Sequence, residues 1–206
     1  MTDGDDPLDK YERIARFYDF VDLPFEYLRY RSIRPLLFRD LNGRLLDAGV
    51  GTGRNLAFYP RGSEVFGVDL SPAMLKHAAR RSKNSGASVH LLEMDLTRLA
   101  FADDFFDAAV ASFVFCTMPA KARTAALREL ARVVRPDGRV RLLEYAPAQT
   151  TFRRAVARVW QPWARWAFGA KLQHDIEPEL AEASLEVISS CYVSSSIKLI
   201  GAKPAT

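Results

Sequence analysis

Asp47 stands two residues ahead of the first of three glycines, Gly49-x-Gly51-x-Gly53, at the end of the apolar run "LLDA". Glycines at that spacing let a backbone approach a nucleotide closely, and dinucleotide-binding loops use the related pattern G-x-G-x-x-G. The match breaks at Arg54, where the dinucleotide loop needs a small residue so that helix and strand can pack. Asp47 weighs the same way. A pyrophosphate docks on the free N–H groups of a helix N-terminus, and a carboxylate beside it is repulsive. A ligand carrying an ammonium and a sulfonium is instead attracted by that carboxylate.

Two further acids follow at telling places. Asp69 ends the run "EVFGVD", where an acid accepts hydrogen bonds from both hydroxyls of a ribose. Asp95, in "EMDL", is placed to meet an adenine amino group, with Leu70 and Leu96 flanking the ring. Taken singly, Asp69 reads equally well as a helix cap and Asp95 as a turn acid. Taken together with the glycines and Asp47, they point to S-adenosylmethionine.

These residues need a scaffold that brings strand ends together. "RLLDA", "EVFGVD", "SVHLLEMDL", "FFDAAVASFVFC" and "RVRLLEYA" read as five strands alternating with helices, the pattern of a parallel doubly wound sheet. Ser71 is the expected N-cap of a helix with Pro72 at its first position, running to about Lys83. A helix over "KARTAALRELARVV" is expected to stop at "RPDG", and a helical stretch covers about 151–168. "LEVISSCYVSSSIKLIGAKP" leaves no room for a helix between its two β-rich halves, so they should pair as an antiparallel hairpin. The expected fold is α/β: a Rossmann-like, seven-stranded, mostly parallel sheet with an antiparallel last strand. Residues 8–18 and 22–38 carry apolar residues at three- and four-residue spacings and read as helices.

The 206 residues suit one domain, with 1–40 as N-terminal helices forming a lid and 146–180 as a substrate-side insert. Hydrophobic residues make up 49% and charged residues 26%, an ordinary globular composition, and the net charge is +4. Cys116 and Cys191 lack metal-ligand spacing, which argues against a disulfide framework or a zinc site. The acidic start "MTDGDDPLDKYERIARFYDF" has no apolar core of a secretory signal, so a cytoplasmic location is expected. The basic residues are few and accompany no recognition motif, so no nucleic-acid partner is expected.

The chain resembles the class I S-adenosylmethionine-dependent methyltransferases in "LLDAGVGTGRN", "VFGVDLSPAML", "LLEMDLTRLAFADDFFDAAVASFVFC" and "LRELARVVRPDGRVRLLEYA". The resemblance spans about residues 11–204 and is strongest to the ubiquinone/menaquinone C-methyltransferases and bacterial phosphatidylethanolamine N-methyltransferases. It implies that Asp47, Gly49, Gly51 and Gly53 line the methionine half of the cofactor, with Asn55 beside them. Asp69 is implied to hold the ribose, and Asp95 with Leu70 and Leu96 the adenine. Ser112 and Phe113 are implied to lie beside the reacting methyl. "RPDGR" departs from the family's usual Pro-Gly-Gly, far from the cofactor.

Methyl transfer from a sulfonium is an in-line displacement from an already activated leaving group, so positioning in a dry site supplies much of the rate. No metal is expected, because the fourth strand ends in "SFVFCT", without the acids of catechol-type enzymes; nor does it carry the Asn/Asp-Pro-Pro-Tyr signature of DNA and glutamine enzymes. Candidates for a proton-accepting or positioning role are Tyr18 with Asp19, His174, and Glu144 or Tyr145; Tyr18 and His174 are the two catalytic candidates.

All three tryptophans, Trp160, Trp163 and Trp166, fall within 151–171, a stretch without an acid. They share a helical side with Phe152, Val156 and Val159, while Arg154, Arg158 and Arg165 gather on the other. A basic amphipathic helix with Trp on its apolar side suits the inner face of a membrane; the simpler reading packs that side on the sheet. Arg29, Arg31 and Arg34 add basic residues from the N-terminal side. The expectation is a methyltransferase for a small or lipid-like acceptor, phospholipid headgroup N-methylation first, quinone C-methylation or thiol methylation next. The rivals from other classes are a dinucleotide-dependent oxidoreductase and a non-catalytic cofactor-binding subunit.

Overall fold

The structure, a computed structural model, describes residues 30–83, 85–168 and 174–205. A seven-stranded sheet organises them in the order β3-β2-β1-β4-β5-β7-β6. Strands β1 (Arg44–Ala48), β2 (Glu64–Asp69), β3 (Ser88–Glu93) and β4 (Phe106–Ser112) are parallel, as is β5 (Val134–Tyr145) to β4. β6 (Leu185–Ser194) and β7 (Ile197–Pro204) form the expected antiparallel hairpin, and β7 runs antiparallel to β5. The order reverses direction at β1, so β1 and β4 are the neighbours between which an open α/β sheet leaves its ligand crevice.

The central strands are apolar on both faces because helices cover both. In β1, Leu45, Leu46 and Ala48 are fully buried and divide between two cores. One core takes Leu46 with Phe106, Phe115, Leu127, Leu130 and Leu142 under helix α3 (Ala120–Val133). The other takes Leu45 with Leu37, Phe38, Leu56 and Tyr59, so the short helix α1 (Pro35–Phe38) docks on the opposite face. Each such leucine contributes about 1.5–3 kcal/mol by leaving water. Asp47 sits in the same strand and is as completely buried as its apolar neighbours.

Helix α2 (Pro72–Ser82) begins as its sequence predicts: Ser71 Oγ accepts from Met74 N at 3.3 Å and Pro72 occupies the first helical position. The helix stops at "RPDG" as expected, but that stretch belongs to the fifth strand instead of preceding it. α3 ends at Val133 and the chain passes directly into β5, with Val134 already paired to Phe106. The extra residues are absorbed by a register shift between Phe106 and Ala108, which leaves Arg135 and Asp137 exposed. A short helix α5 (Glu177–Glu182) precedes β6.

Helix α4 (Thr151–Phe168) forms over the basic amphipathic segment and continues through Pro162. Its apolar side does not pack on the sheet over the part whose side chains are described. Phe152 is 78% exposed and Val159 77%, with Trp160 at 54%. The side chains of Trp163, Arg165 and Trp166 lie outside the described residues, as does all of 1–29, with the expected helix over 8–18 and most of the lid. No described helix is long and apolar enough to cross a membrane.

Candidate functional site

β1 delivers Asp47 to the crevice and β4 delivers Ser112, while the glycine loop turns back between them. Asp47 has no water to solvate it, so its charge depends on donors from the protein. Tyr59 donates its hydroxyl to Asp47 Oδ2 at 2.6 Å. Asn55 Nδ2 lies 3.1 Å from both carboxylate oxygens and 3.1 Å from Ser112 Oγ. Arg34 Nη1 completes the set, donating at 2.9 Å to Asn55 Oδ1 and at 2.9 Å to Ser112 Oγ. Burial pushes the Asp47 carboxyl up to about 6, against the pull of Tyr59, Asn55 and the Arg34 cation. The Asp47 carboxylate in turn drives the buried Tyr59 phenol well above its ordinary range, after burial itself.

Asp69 ties the strand end to the loop. Gly51 N donates to Asp69 Oδ2 at 2.8 Å and Ser71 N to Oδ1 at 2.9 Å. Burial raises its carboxyl and the amides of Ser71 and Gly51 oppose that rise. The Asp69 carboxylate retains acceptor capacity beyond the amides of Ser71, Gly51 and Leu70, which is what ribose hydroxyls require. Gly51, at φ +54, is open: a β-carbon there would meet only Gly49 O at 4.0 Å. That open notch beside two acids is the cradle a nucleoside with a cationic amino-acid tail would fill. The residues present therefore fit S-adenosylmethionine: Asp47, Asn55 and Arg34 would face its charged methionine end, and Gly51 and Asp69 would hold its ribose.

Gly53 has a different task from Gly51. At φ +83, a β-carbon there would stand 2.3 Å from Leu56 Cδ1 and 2.9 Å from Ala78 Cα of α2. The close helix approach that a dinucleotide loop makes one residue later is thus made here at Gly53, which explains why Arg54 is tolerated.

The other predicted residues divide. Leu70 is 44% exposed beside Asp69, where a ring could lie on it. Asp95 is exposed and accepts from Thr97 N at 2.8 Å, the geometry of a turn acid, and Leu96 is buried in the core under α3. Phe113 follows Ser112 directly and takes φ +58. His174 Nε2 lies 2.9 Å from Glu179 Oε1, and that carboxylate is held bidentately by the buried Arg123 at 2.6 and 2.7 Å. These contacts tie the start of α5 to α3 rather than to the Asp47 cluster. Tyr18 and Asp19 lie outside the described residues. Tyr145 and Tyr30 share a hydroxyl contact of 2.6 Å.

Three participants were not foreseen. Tyr59 and the inward-turned Arg34, 5% exposed, join the cluster, so Arg34 serves the buried site and adds nothing to an exposed basic surface. The third is the set of amides on Glu144, described below. The available signal was an acid inside an apolar strand, which must find donors, with Asn55 and Tyr59 eight and twelve residues on.

Comparison with known proteins agrees with this geometry. Residues 46–142 match the family described as "Methyltransferase domain". The chain is 34% identical over 151 residues to the ubiquinone/menaquinone biosynthesis C-methyltransferase UbiE of Syntrophotalea carbinolica, covering 69% of this chain and 62% of that one. It is 32% identical over 156 residues to the phosphatidylethanolamine N-methyltransferase of Cereibacter sphaeroides, covering 74% of each. Among solved structures, a SAM-dependent methyltransferase of Thermotoga maritima, described as a possible histamine N-methyltransferase, superposes with a TM-score of 0.70. That match has 19% identity and covers 95% of this chain and 98% of the other, and it speaks for the fold alone. The chain belongs to the S-adenosylmethionine-dependent methyltransferase family. Its match spans about three fifths of the quinone enzyme's length.

Proposed function

We propose that this protein transfers a methyl group from S-adenosylmethionine to a lipid-like acceptor, the amino headgroup of a phospholipid, at an anionic membrane surface. Bound S-adenosylmethionine would supply the activated sulfonium methyl. The chain's own residues then bind, orient and exclude water, which is most of what an in-line displacement asks of a protein. Asp69 and the Gly51 notch hold the nucleoside. The Asp47–Asn55–Arg34 cluster balances the charges of the methionine end, and Ser112 and Phe113 wall the side from which an acceptor approaches. Tyr18 and His174 stay candidates for handling the acceptor's proton, with His174 having first to leave Glu179.

The observation that carries the lipid reading is the outward apolar side of α4. Phe152, Val156, Val159 and Trp160 fall at successive turns of one helix side and are all exposed, and Arg154 and Arg158 lie on the other side in a stretch without an acid. Apolar side chains at helical spacing beside arginines complement an anionic lipid interface. The relative matched over the larger share of its own length is the phosphatidylethanolamine enzyme. Quinone C-methylation is the second reading, favoured by the relative named for that activity.

Incubation with methyl-labelled S-adenosylmethionine and a whole bacterial lipid extract should label N-methylated phosphatidylethanolamine. Label in a quinone instead would replace the first reading with the second, and label in no lipid would overturn both. Phosphatidylglycerol vesicles should co-sediment the protein at low salt, and the double variant Val159→Glu, Arg158→Glu should stay in the supernatant. Wild-type protein that never sediments would remove the membrane surface from the proposal.

A further inference from the structure

Glu144 is the next-to-last residue of β5, yet it is 2% exposed. Among the described residues no cation bonds to it. Its partners are three successive backbone amides: Val114 N and Phe115 N donate to Oε1 at 2.7 and 2.8 Å, and Cys116 N to Oε2 at 3.3 Å. A buried carboxylate without a counter-ion is an expensive way to stabilise a loop, and an apolar residue of similar size would cost less. What it holds is therefore of interest.

It holds the corner where β4 leaves the sheet. Phe113 there takes φ +58, a left-handed conformation that is strained for a residue with a bulky side chain. Val114 covers the first glycine of the loop so closely that a β-carbon on Gly49 would fall 2.5 Å from Val114 Cγ2. The Phe113 ring contacts Tyr30 and Tyr145 at centroid distances of 4.8 and 5.1 Å, with the Arg34 guanidinium 5.6 Å above it. One corner thus walls the glycine loop with Val114 and carries Phe113 beside Ser112.

We propose that Glu144 is a positioning residue for the methyl-donor cleft: its ionised carboxylate holds the 113–116 corner over Gly49, and its protonation loosens the cleft. The ionised acid accepts all three amides at full strength; a proton on Oε2 leaves Oε1 to Val114 N and Phe115 N but weakens the acceptor that Cys116 N meets, and Glu144→Gln turns an N–H toward it. Burial pushes the Glu144 carboxyl up to about 7, against the amides of residues 114–116 and the Cys116 thiol, so the switch falls in an accessible range. Few other charges face it. Cys116 contributes its thiol, whose own ionisation burial and Glu144 oppose. Lys198 is opposite Glu144 in the β5–β7 register, but its ammonium goes to Glu177 at 2.6 Å. Arg123 of α3 is committed to Glu179.

The inference rests on the methyl-donor site proposed above, and S-adenosylhomocysteine is the probe. Its dissociation constant, measured by calorimetry from pH 5.5 to 8.5, should rise for the wild type as pH falls through about 7. Glu144→Gln should bind about tenfold more weakly at pH 8, the loss of one hydrogen bond to a charged acceptor. Burial raises the Asp47 carboxyl to about 6 through causes that do not include Glu144, so the ratio of the two profiles isolates Glu144. In wild-type protein, which needs no variant to fold, the amide resonances of Val114, Phe115 and Cys116 should titrate with the midpoint of the affinity change. Equal affinities for wild type and Glu144→Gln across the range would overturn the proposal. So would amides that titrate while affinity stays constant, the mark of a merely structural acid. Wild-type protein that binds no S-adenosylhomocysteine at any pH would overturn the proposed function and this inference with it.

Discussion

Arg34 and Ser112 are 78 residues apart along the chain and 2.9 Å apart in the structure. The same guanidinium nitrogen reaches Asn55, so one buried cation joins the segment before α1 to the glycine loop and the end of β4. Its charge also bears on Asp47, which lies in the strand between. The crevice is therefore wired from both sides of the switch in strand order.

Arg34→Met should let the Asp47 carboxyl climb above about 6, because it removes the cation that opposes burial. S-adenosylhomocysteine affinity at pH 7 should drop and partly recover by pH 8.5, where Asp47 is ionised again. A calorimetric pH series checks this, and a profile parallel to that of the wild type would show that Arg34 does not govern Asp47.

Asp69→Ala should remove most of the affinity for S-adenosylhomocysteine. It deletes the ribose acceptor and also releases Gly51 N, which Asp69 Oδ2 holds at 2.8 Å. Asp69→Asn keeps one acceptor oxygen and should retain an intermediate affinity. An alanine variant that binds as tightly as the wild type would refute the ribose assignment.

Gly53→Ala should destabilise the fold by about 1–3 kcal/mol from its backbone conformation alone, with a further cost from its collision with Ala78 of α2. Gly51→Ala meets a comparable backbone strain at φ +54 but no collision in the open notch, so it should lower the melting temperature less than Gly53→Ala and in addition weaken cofactor affinity. Differential scanning calorimetry of the two variants separates these roles, and equal losses of stability would contradict them.

Glu144 makes a signed prediction for pH. Its folded-state carboxyl is raised from 4.5 to about 7, so the protonated form is the one the fold prefers. The contribution to stability is fully present below the unfolded value near 4.5 and is lost as pH rises through about 7. Relative to Glu144→Gln, wild-type unfolding free energy should fall by up to about 3 kcal/mol across that window. Cofactor affinity should move the other way, since ionisation is what grips the 113–116 corner. Urea unfolding at pH 4.5, 6 and 8 measures the difference, and a constant gap between the two proteins would exclude it.

Much of this was legible in the linear chain because it depends on local chemistry. Alternating apolar runs and helical periods predict the α/β sheet, and the absence of a helix-length spacer before "SIKLIGAKP" predicts the closing hairpin. Ser71 and Pro72 announce α2. "RPDG" marks the end of α3 correctly but hides the start of β5, because a strand can absorb extra residues in a register shift that no local signal marks. Asp95 and Leu96 show a similar limit: an acid past a strand end can serve a turn amide, as it does for Thr97 N, while its neighbour turns into the core.

By itself the sequence determined the order of strands and helices, the glycine spacing and the acids at strand ends, since hydrophobic period and backbone freedom are properties of neighbouring residues. Only the tertiary structure decided that Arg34, Asn55, Tyr59 and Ser112 converge on Asp47, that three amides converge on Glu144, and that His174 goes to Glu179. It also decided that the apolar side of α4 faces outward over its described part. The reason is physical: a buried polar group takes whichever donor the packing brings to it, and packing joins residues far apart in the chain.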